Sequence, residues 1–192
     1  YTGDGNRDID FGGRAVLVMS QFGSDSTTIN PEGMEGDRHR GFEFHSGEDS
    51  SSVLRGFRIV SGYGPNYDPS NAYVGGAIFC RDSSSPLIEE CRFQGNSAAT
   101  GGGLYCYTDA GPLVRNCVFQ NNTASKGGAI HVDHCDESGP TIEGCVFIDN
   151  SANDFAGSVR LIHSSCTFKA CTFYGSQSDY EGNCFTLDDQ SV

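Results

Sequence analysis

The sequence predicts an all-β fold, a parallel β-helix (solenoid) of about six to seven rungs. Three observations predict it: a phrase that recurs at a near-constant step, columns of like residues that keep phase with it, and the lack of long amphipathic helical patterns. GGAIFCRDSSSPLIEECRFQGN (75–96) returns as GGGLYCYTDAGPLVRNCVFQNN (101–122). After the glycines come Ile78, Leu104, Ile130, Val159 and Cys184, at steps of 26, 26, 29 and 25. A second column, Cys91, Cys117, Cys145 and Cys171, steps by 26, 28 and 26, and Phe93, Phe119, Phe147 and Phe173 follow it two residues later. One rung is therefore about 26 residues long.

Each rung carries two strand-like pieces. In the first, period-2 alternation turns Ile78 and Cys80 inward and Phe79 outward. The second follows Pro86, Pro112 or Pro140; Ile88 faces in, Glu89 out, and a corner near Glu90 turns Cys91 and Phe93 back in. Leu54, Phe57 and Ile59 fit the same places one rung earlier, and residues 8–30 read as an unrepeated first rung. A rung this short cannot bury its apolar side chains alone, so it is stable only when stacked on its neighbours. Six full rungs and part of a seventh, at roughly 4.8 Å each, give a rod about 30 Å tall. Residues 1–192 read as one such domain, expected to be a segment of a longer array or a filament subunit.

Composition narrows the function. The 192 residues hold 26 Gly, 36% apolar residues and no Trp, which suits strands joined by tight turns. A formal charge of −13 repels a phosphate backbone, which sets nucleic acid aside. No apolar run approaches the roughly 18 residues of a membrane span, and no signal-peptide pattern opens the chain. A start at Tyr1 suggests processing from something longer. Nine Cys without a CxxC motif favour an oxidising, extracytoplasmic location.

Two columns read as structural. Arg55, Glu89, Arg115, Glu143 and Lys169 alternate in sign over five rungs, which penalises a one-rung slip. Asn96, Asn122 and Asn150 close the segments FQGN, FQNN and FIDN, where stacked amides can bond to one another; a ligand role is the alternative. Asn121-Asn122-Thr123 is an N-x-S/T triplet, which makes Asn121 a candidate glycosylation site in a host that has the machinery.

Counted by rung, the cysteines fall as Cys80 with Cys91, Cys106 with Cys117, Cys135 with Cys145, and Cys166 with Cys171; Cys184 stands alone in the last rung. Two per rung, even where the first column loses its Cys to Val132 and Leu161, suggests a disulfide within each rung. Pairing between rungs is disfavoured, because in-register Cβ atoms lie about 4.8 Å apart, beyond the usual 3.5–4.5 Å. Free inward thiols acting as small hydrophobes are the other reading. A zinc site is not expected: His131, His134 and Cys135 lie on one segment without a second ligand pair.

The motifs GGAI (75–78 and 127–130) and FxxN (from 93, 119 and 147) resemble the paired repeats of the chlamydial polymorphic membrane proteins and of bacterial right-handed parallel β-helix repeat proteins in the pectate-lyase-like superfamily. The resemblance covers roughly residues 40–187. It implies a right-handed coil in a secreted or surface-displayed rod, often an adhesin or other non-enzymatic protein. The outer-membrane barrel of the polymorphic membrane proteins has no counterpart in these residues, which leaves attachment and secretion route open.

The same superfamily holds polysaccharide lyases and glycoside hydrolases, so catalysis is the rival reading. It requires carboxylates converging on one face. The outward residues beside the glycines are instead Phe79, Tyr105, His131, Arg160 and Phe185. The first four form a candidate binding strip for sugar rings or a partner protein, or else an aromatic ladder that stabilises the sheet. No cofactor is expected. Acidic residues gather in turns, at Asp4, Asp8 and Asp10; Glu32, Glu35 and Asp37; Glu48 and Asp49; and Asp188 and Asp189, where weak Ca²⁺ binding is the alternative to solvation. His45 near Glu48 and Asp49 lacks an evident oxyanion hole.

Neither end of the sequence shows a polar cap, so the ends are expected to be adhesive. The expected function is that of a non-enzymatic extracellular or cell-surface structural or adhesive protein. Its first partner is a second copy joined end to end, as in a filament, and a carbohydrate or host-surface protein is a further one. A carbohydrate-active enzyme or carbohydrate-binding module on the same fold is the alternative.

Overall fold

The structure, a computed structural model, describes residues 1–67, 72–136 and 138–188. Three parallel sheets run its length. The first stacks Ile9–Asp10, Phe42–Phe44, Ile78–Arg81, Leu104–Tyr107, Ile130–Cys135, Val159–Ser164 and Phe185–Asp188. The second stacks Leu17–Met19, Val53–Arg55, Leu87–Glu89, Leu113–Arg115, Thr141–Glu143 and Thr167–Lys169. The third runs from Thr28–Ile29 through Arg58–Val60, Arg92–Gln94, Val118–Gln120 and Val146–Ile148 to Thr172–Tyr174. The chain visits the sheets in that order six times and enters the first a seventh time. Helix is confined to the single turn Asp4–Asn6 among the described residues.

The corners explain the motifs. Between the second and third sheets, Gly56, Glu90, Asn116, Gly144 and Ala170 all take φ between 51° and 75°. One left-handed residue turns the chain there, and its amide bonds to the next rung, as Glu90 to the Arg115 carbonyl at 3.0 Å. Each non-glycine in this conformation costs about 1 kcal/mol, which the ladder bonds offset. The glycine pairs open the first sheet. Gly75, Gly101 and Gly127 have φ of 58° to 65°, and a Cβ there would fall 2.4–2.5 Å from the carbonyl oxygen three residues ahead. The second glycines stack on one another's backbone: a Cβ on Gly102 would lie 2.4 Å from the Gly128 carbonyl oxygen.

Inside, Phe93, Phe119, Phe147 and Phe173 form one vertical file, with ring centroids 4.7, 5.0 and 4.4 Å apart. Ile59 and Ile29 continue it downward in register. Leu54, Ile88, Val114 and Ile142 form the matching file of the second sheet, all fully buried. Next to the phenylalanines, Asn122 donates through Nδ2 to the Asn150 Oδ1 (3.0 Å) and to the Phe93 carbonyl (2.9 Å). Its own Oδ1 accepts from the amide and Nδ2 of Asn96.

The last step of the first column differs from expectation. Val159 pairs with Phe185, so the step is 26, Phe185 faces the core and Thr186 takes the outward place beside Arg160. Cys184 instead stands where Gly103 and Ala129 stand, accepting at its carbonyl from the Val159 amide at 2.9 Å. Gly182, with φ 64°, is the equivalent of Gly75, and the single glycine shifts the apparent alignment by one.

Candidate functional site

The outer face of the first sheet is where the sequence placed a binding strip. Phe79, Tyr105, His131 and Arg160 do stand in register there and point away from the main core. They are nevertheless 1%, 6%, 2% and 8% exposed, so they are no open strip. Tyr67, Ala72 and Val74, from the segment that precedes the first glycine pair, pack over Phe79 and Tyr105. The Tyr67 ring meets Phe79 edge-on at 5.1 Å, and the Arg40 guanidinium lies 4.8 Å from the Phe79 ring. Farther along, Arg160 sits 4.5 Å over Phe155 and binds Asp188 at 2.9 Å. Alternation gave the direction of these side chains correctly; coverage of the aromatic pair comes from an insertion. Ile59 lies opposite Phe93, 34 positions on, against 26 from Phe93 to Phe119, and that lengthened step with Tyr63, Tyr67 and Tyr73 in it was the available signal.

The face is charged, and several of its carboxylates are occupied. Glu43 faces Arg81 at 3.1 Å and Arg40 at 3.7 Å, Asp10 faces His45 at 3.3 Å, and Asp8 binds His39 at 2.5 Å. Asp82 pairs with Arg81, Asp188 with Arg160, and Asp133 with His134. His45 thus meets an aspartate, and the nearby Glu48 is buried, accepting from the Gly13 and Ser46 amides and the Ser84 hydroxyl. Desolvation opposes the Glu48 charge, but these hydrogen bonds together outweigh it and hold the carboxyl below the usual range. Burial holds Arg40 down at about 10, against the attraction of Glu43 and Asp8. Burial also pushes His131 well below its ordinary value, helped by Arg160 and Lys126, and its Nδ1 has no hydrogen-bond partner.

Beside the covered face, Tyr63 and Tyr73 wall a groove of about 260 Å³ floored by residues 97–99 and 123–125. The Arg38 guanidinium stacks 3.9 Å over the Tyr73 ring.

The family described as right handed beta helix region matches residues 19–177, which includes every rung of this face but the first and last strands. The chain belongs to that family. No curated protein and no solved structure matches it.

In this right-handed β-helix all nine cysteines are free thiols. The expected pairing within rungs is replaced by stacking between them. Cys80 and Cys106 are register neighbours in the first sheet, whereas Cys91, Cys117, Cys145 and Cys171 follow the corner between the second and third sheets. In the second file each Sγ donates to the carbonyl two residues back, at 3.3 Å for Cys91 and Cys117. Cys135 lies opposite Ser164, and Cys166 precedes Thr167 in the place of Pro86, Pro112 and Pro140, so neither substitutes for the lost first-column Cys. Burial pushes the Cys80, Cys106 and Cys117 thiols well up and Cys135 to about 12, which keeps them protonated and unreactive.

Asn121 occupies a left-handed corner at φ 54° and is exposed, as is Thr123, while Asn122 between them is buried. Most acidic turns bind their own chain: Asp4 to Arg7, Asp37 to His39, and Asp49 to the Ser51 amide. Asp189 lies outside the described residues. Sequence reasoning missed one cluster, Asp133, His134 and His163, whose ligand atoms all lie within 4.8 Å of one another.

Proposed function

We propose that this β-helix is a non-enzymatic structural or adhesive protein, working outside the cytoplasm, secreted or at a cell surface, and joining copies of itself end to end. The observation that carries the reading is the closed outer face of the first sheet. Its own insertion covers the aromatic pair, and Asp10, Glu43 and Asp188 beside it hold His45, Arg81 and Arg160. Glycoside hydrolysis needs two carboxyl groups free to face the sugar, at about 5 to 9.5 Å, and lyase chemistry needs a base free to take a proton. The arrangement therefore favours a scaffold over a carbohydrate-active enzyme. The free thiols make no demand for an oxidising compartment, so the extracellular placement rests on the resemblance of the repeats alone.

The apolar surface of the first and last rungs fits a further rung laid on it, whether from a second copy or from more of the same array. A depression of about 450 Å³ at the first rung is lined by Ile9, Val18, Ile29, Phe42 and Phe57, with Met19 and Phe22 exposed at its wall. At the other end Phe168, Phe173 and Phe185 are only half-buried and Leu187 is exposed. Another rung laid on either end would cover apolar area worth about 25 cal/mol per Å². Sedimentation velocity across a concentration series, with electron microscopy, is expected to show length-wise oligomers. A monomer at every concentration defeats the assembly, and depolymerisation of pectin or alginate defeats the non-enzymatic reading.

The Tyr63 and Tyr73 groove favours a second reading, a carbohydrate-binding module. Tyrosine rings and a floor that carries the Ser97, Thr123 and Ser125 hydroxyls among three alanines suit sugar rings.

A further inference from the structure

Asp133 and His134 are sequence neighbours, and in a regular strand their side chains would point to opposite faces. Here His134 takes φ 54°, so the strand Ile130–Cys135 turns two successive side chains outward: Asp133 is half-buried, His134 exposed, and Cys135 buried again. The next strand, Val159–Ser164, repeats the burial pattern with His163 at φ 43°. Cys135 pairs with Ser164 in register, which sets His163 directly above His134. Their ring centroids are 5.3 Å apart, and the Tyr107 ring packs edge-on against His134 at 5.8 Å. Asp133 Oδ1 lies 2.6 Å from His134 Nδ1.

We propose that Asp133, His134 and His163 form a surface site for a divalent transition metal. Two imidazoles and a carboxylate are the donor set of zinc, nickel and copper, whereas calcium and magnesium prefer oxygen alone. Around a tetrahedral ion with bonds of about 2.1 Å the ligand atoms lie roughly 3.4 Å apart. The three groups, already within 4.8 Å of one another, close that gap by side-chain rotation alone, for which the exposed His134 and His163 have room. A fourth position stays open to water or to a donor from a partner. The paired left-handed residues make the site a product of stacking: neither rung alone holds more than one histidine there. It is separate from the buried cysteine files and from the Tyr63 and Tyr73 groove.

The test is titration of the full chain with Ni²⁺, and separately with Co²⁺, followed by calorimetry and absorption spectroscopy. One equivalent is expected to bind, weakening as acid protonates the imidazoles. His163→Ala and His134→Ala are each expected to weaken binding at least tenfold, while His39→Ala leaves it unchanged. On the unmodified chain, Cu²⁺ is expected to broaden the His134 and His163 ring resonances selectively, a readout that does not depend on how the variants fold. Unchanged affinity in a folded His163→Ala chain overturns the site, and so does a Co²⁺ spectrum with thiolate charge-transfer bands, which places the ion on cysteines.

Discussion

The asparagine ladder and the covered outer face of the first sheet are both stacks of buried polar groups, built on the same rungs to opposite standards. In the ladder, Asn96, Asn122 and Asn150 are fully buried, and the donors and acceptor of Asn122 are all engaged. On the outer face, His131 Nδ1, Arg160 Nη1 and Arg40 Nε are buried without a hydrogen-bond partner. The ladder is made by the repeat, each rung supplying what its neighbour needs. The covering of the outer face comes from segments that each occur once, and such a segment cannot match every rung. Satisfied polar stacks fix a structure, and unsatisfied ones leave it open to conditions.

The largest test of that contrast is Asn122→Ala. It strands the Phe93 carbonyl and the Asn96 amide in a dry interior, while the Asn150 Oδ1 loses one of its two donors and keeps the backbone amide of residue 122. Each orphaned group costs about 1–3 kcal/mol, so a loss of at least about 2 kcal/mol is expected in denaturant unfolding. A loss below about 1 kcal/mol would mean that water replaces the amide and that the ladder is decoration.

What was legible in the sequence follows the same division. Residues that recur at one step could be placed because each rung repeats the physical problem of its neighbour. Phe93, Phe119 and Phe147 had to stack, the Asn column had to bond to itself, and Glu90 had to turn a corner. Residues whose surroundings come from a segment that occurs once could not be placed. Phe79 was aimed correctly and judged exposed, because nothing in its own rung says that Tyr67 lies over it. Asp133, His134 and His163 escaped for another reason: strand alternation separates 133 from 134, and only the positive φ of His134 reunites them. Two cysteines per rung suggested partners within it, whereas Cys80 stacks on Cys106, and Cys91, Cys117, Cys145 and Cys171 on one another, from rung to rung.

The second test addresses the outer face through pH. His131 is buried and held neutral, with its pKa far below 6.5; burial is the main cause, and Arg160 and Lys126 add to it, while the Tyr105 ring packs against the imidazole at 5.3 Å. The unfolded chain therefore takes up a proton on His131 that the folded chain refuses. Its contribution to stability is complete above about pH 6.5 and falls by up to about 1.4 kcal/mol per unit as pH drops below that. His131→Phe, which fits the file of Phe79 and Tyr105, is expected to flatten the acid limb of a melting-temperature profile while leaving neutral pH nearly unchanged. Identical acid slopes in both chains would show that the imidazole reaches solvent.

The smallest effect belongs to the charged column, which lies outside both stacks and sharpens the comparison because its Arg115 and Glu143 are exposed, although Glu89 is buried. Arg55 pairs with Glu89, and Arg115 with Glu143 at 3.4 Å, in strict register down the second sheet. The Arg115 and Glu143 side chains are 40% and 43% exposed, so solvent screens the pair to about 0–1 kcal/mol. Arg115→Glu puts a third carboxylate between those of Glu89 and Glu143, and is expected to cost under about 1 kcal/mol at low salt and nothing at high salt. Adding Glu143→Arg is expected to restore part of the loss, since it returns an opposite charge to one neighbour. A loss of several kcal/mol that salt does not relieve would place this column with the buried ladders, as a structural element rather than a guard on register.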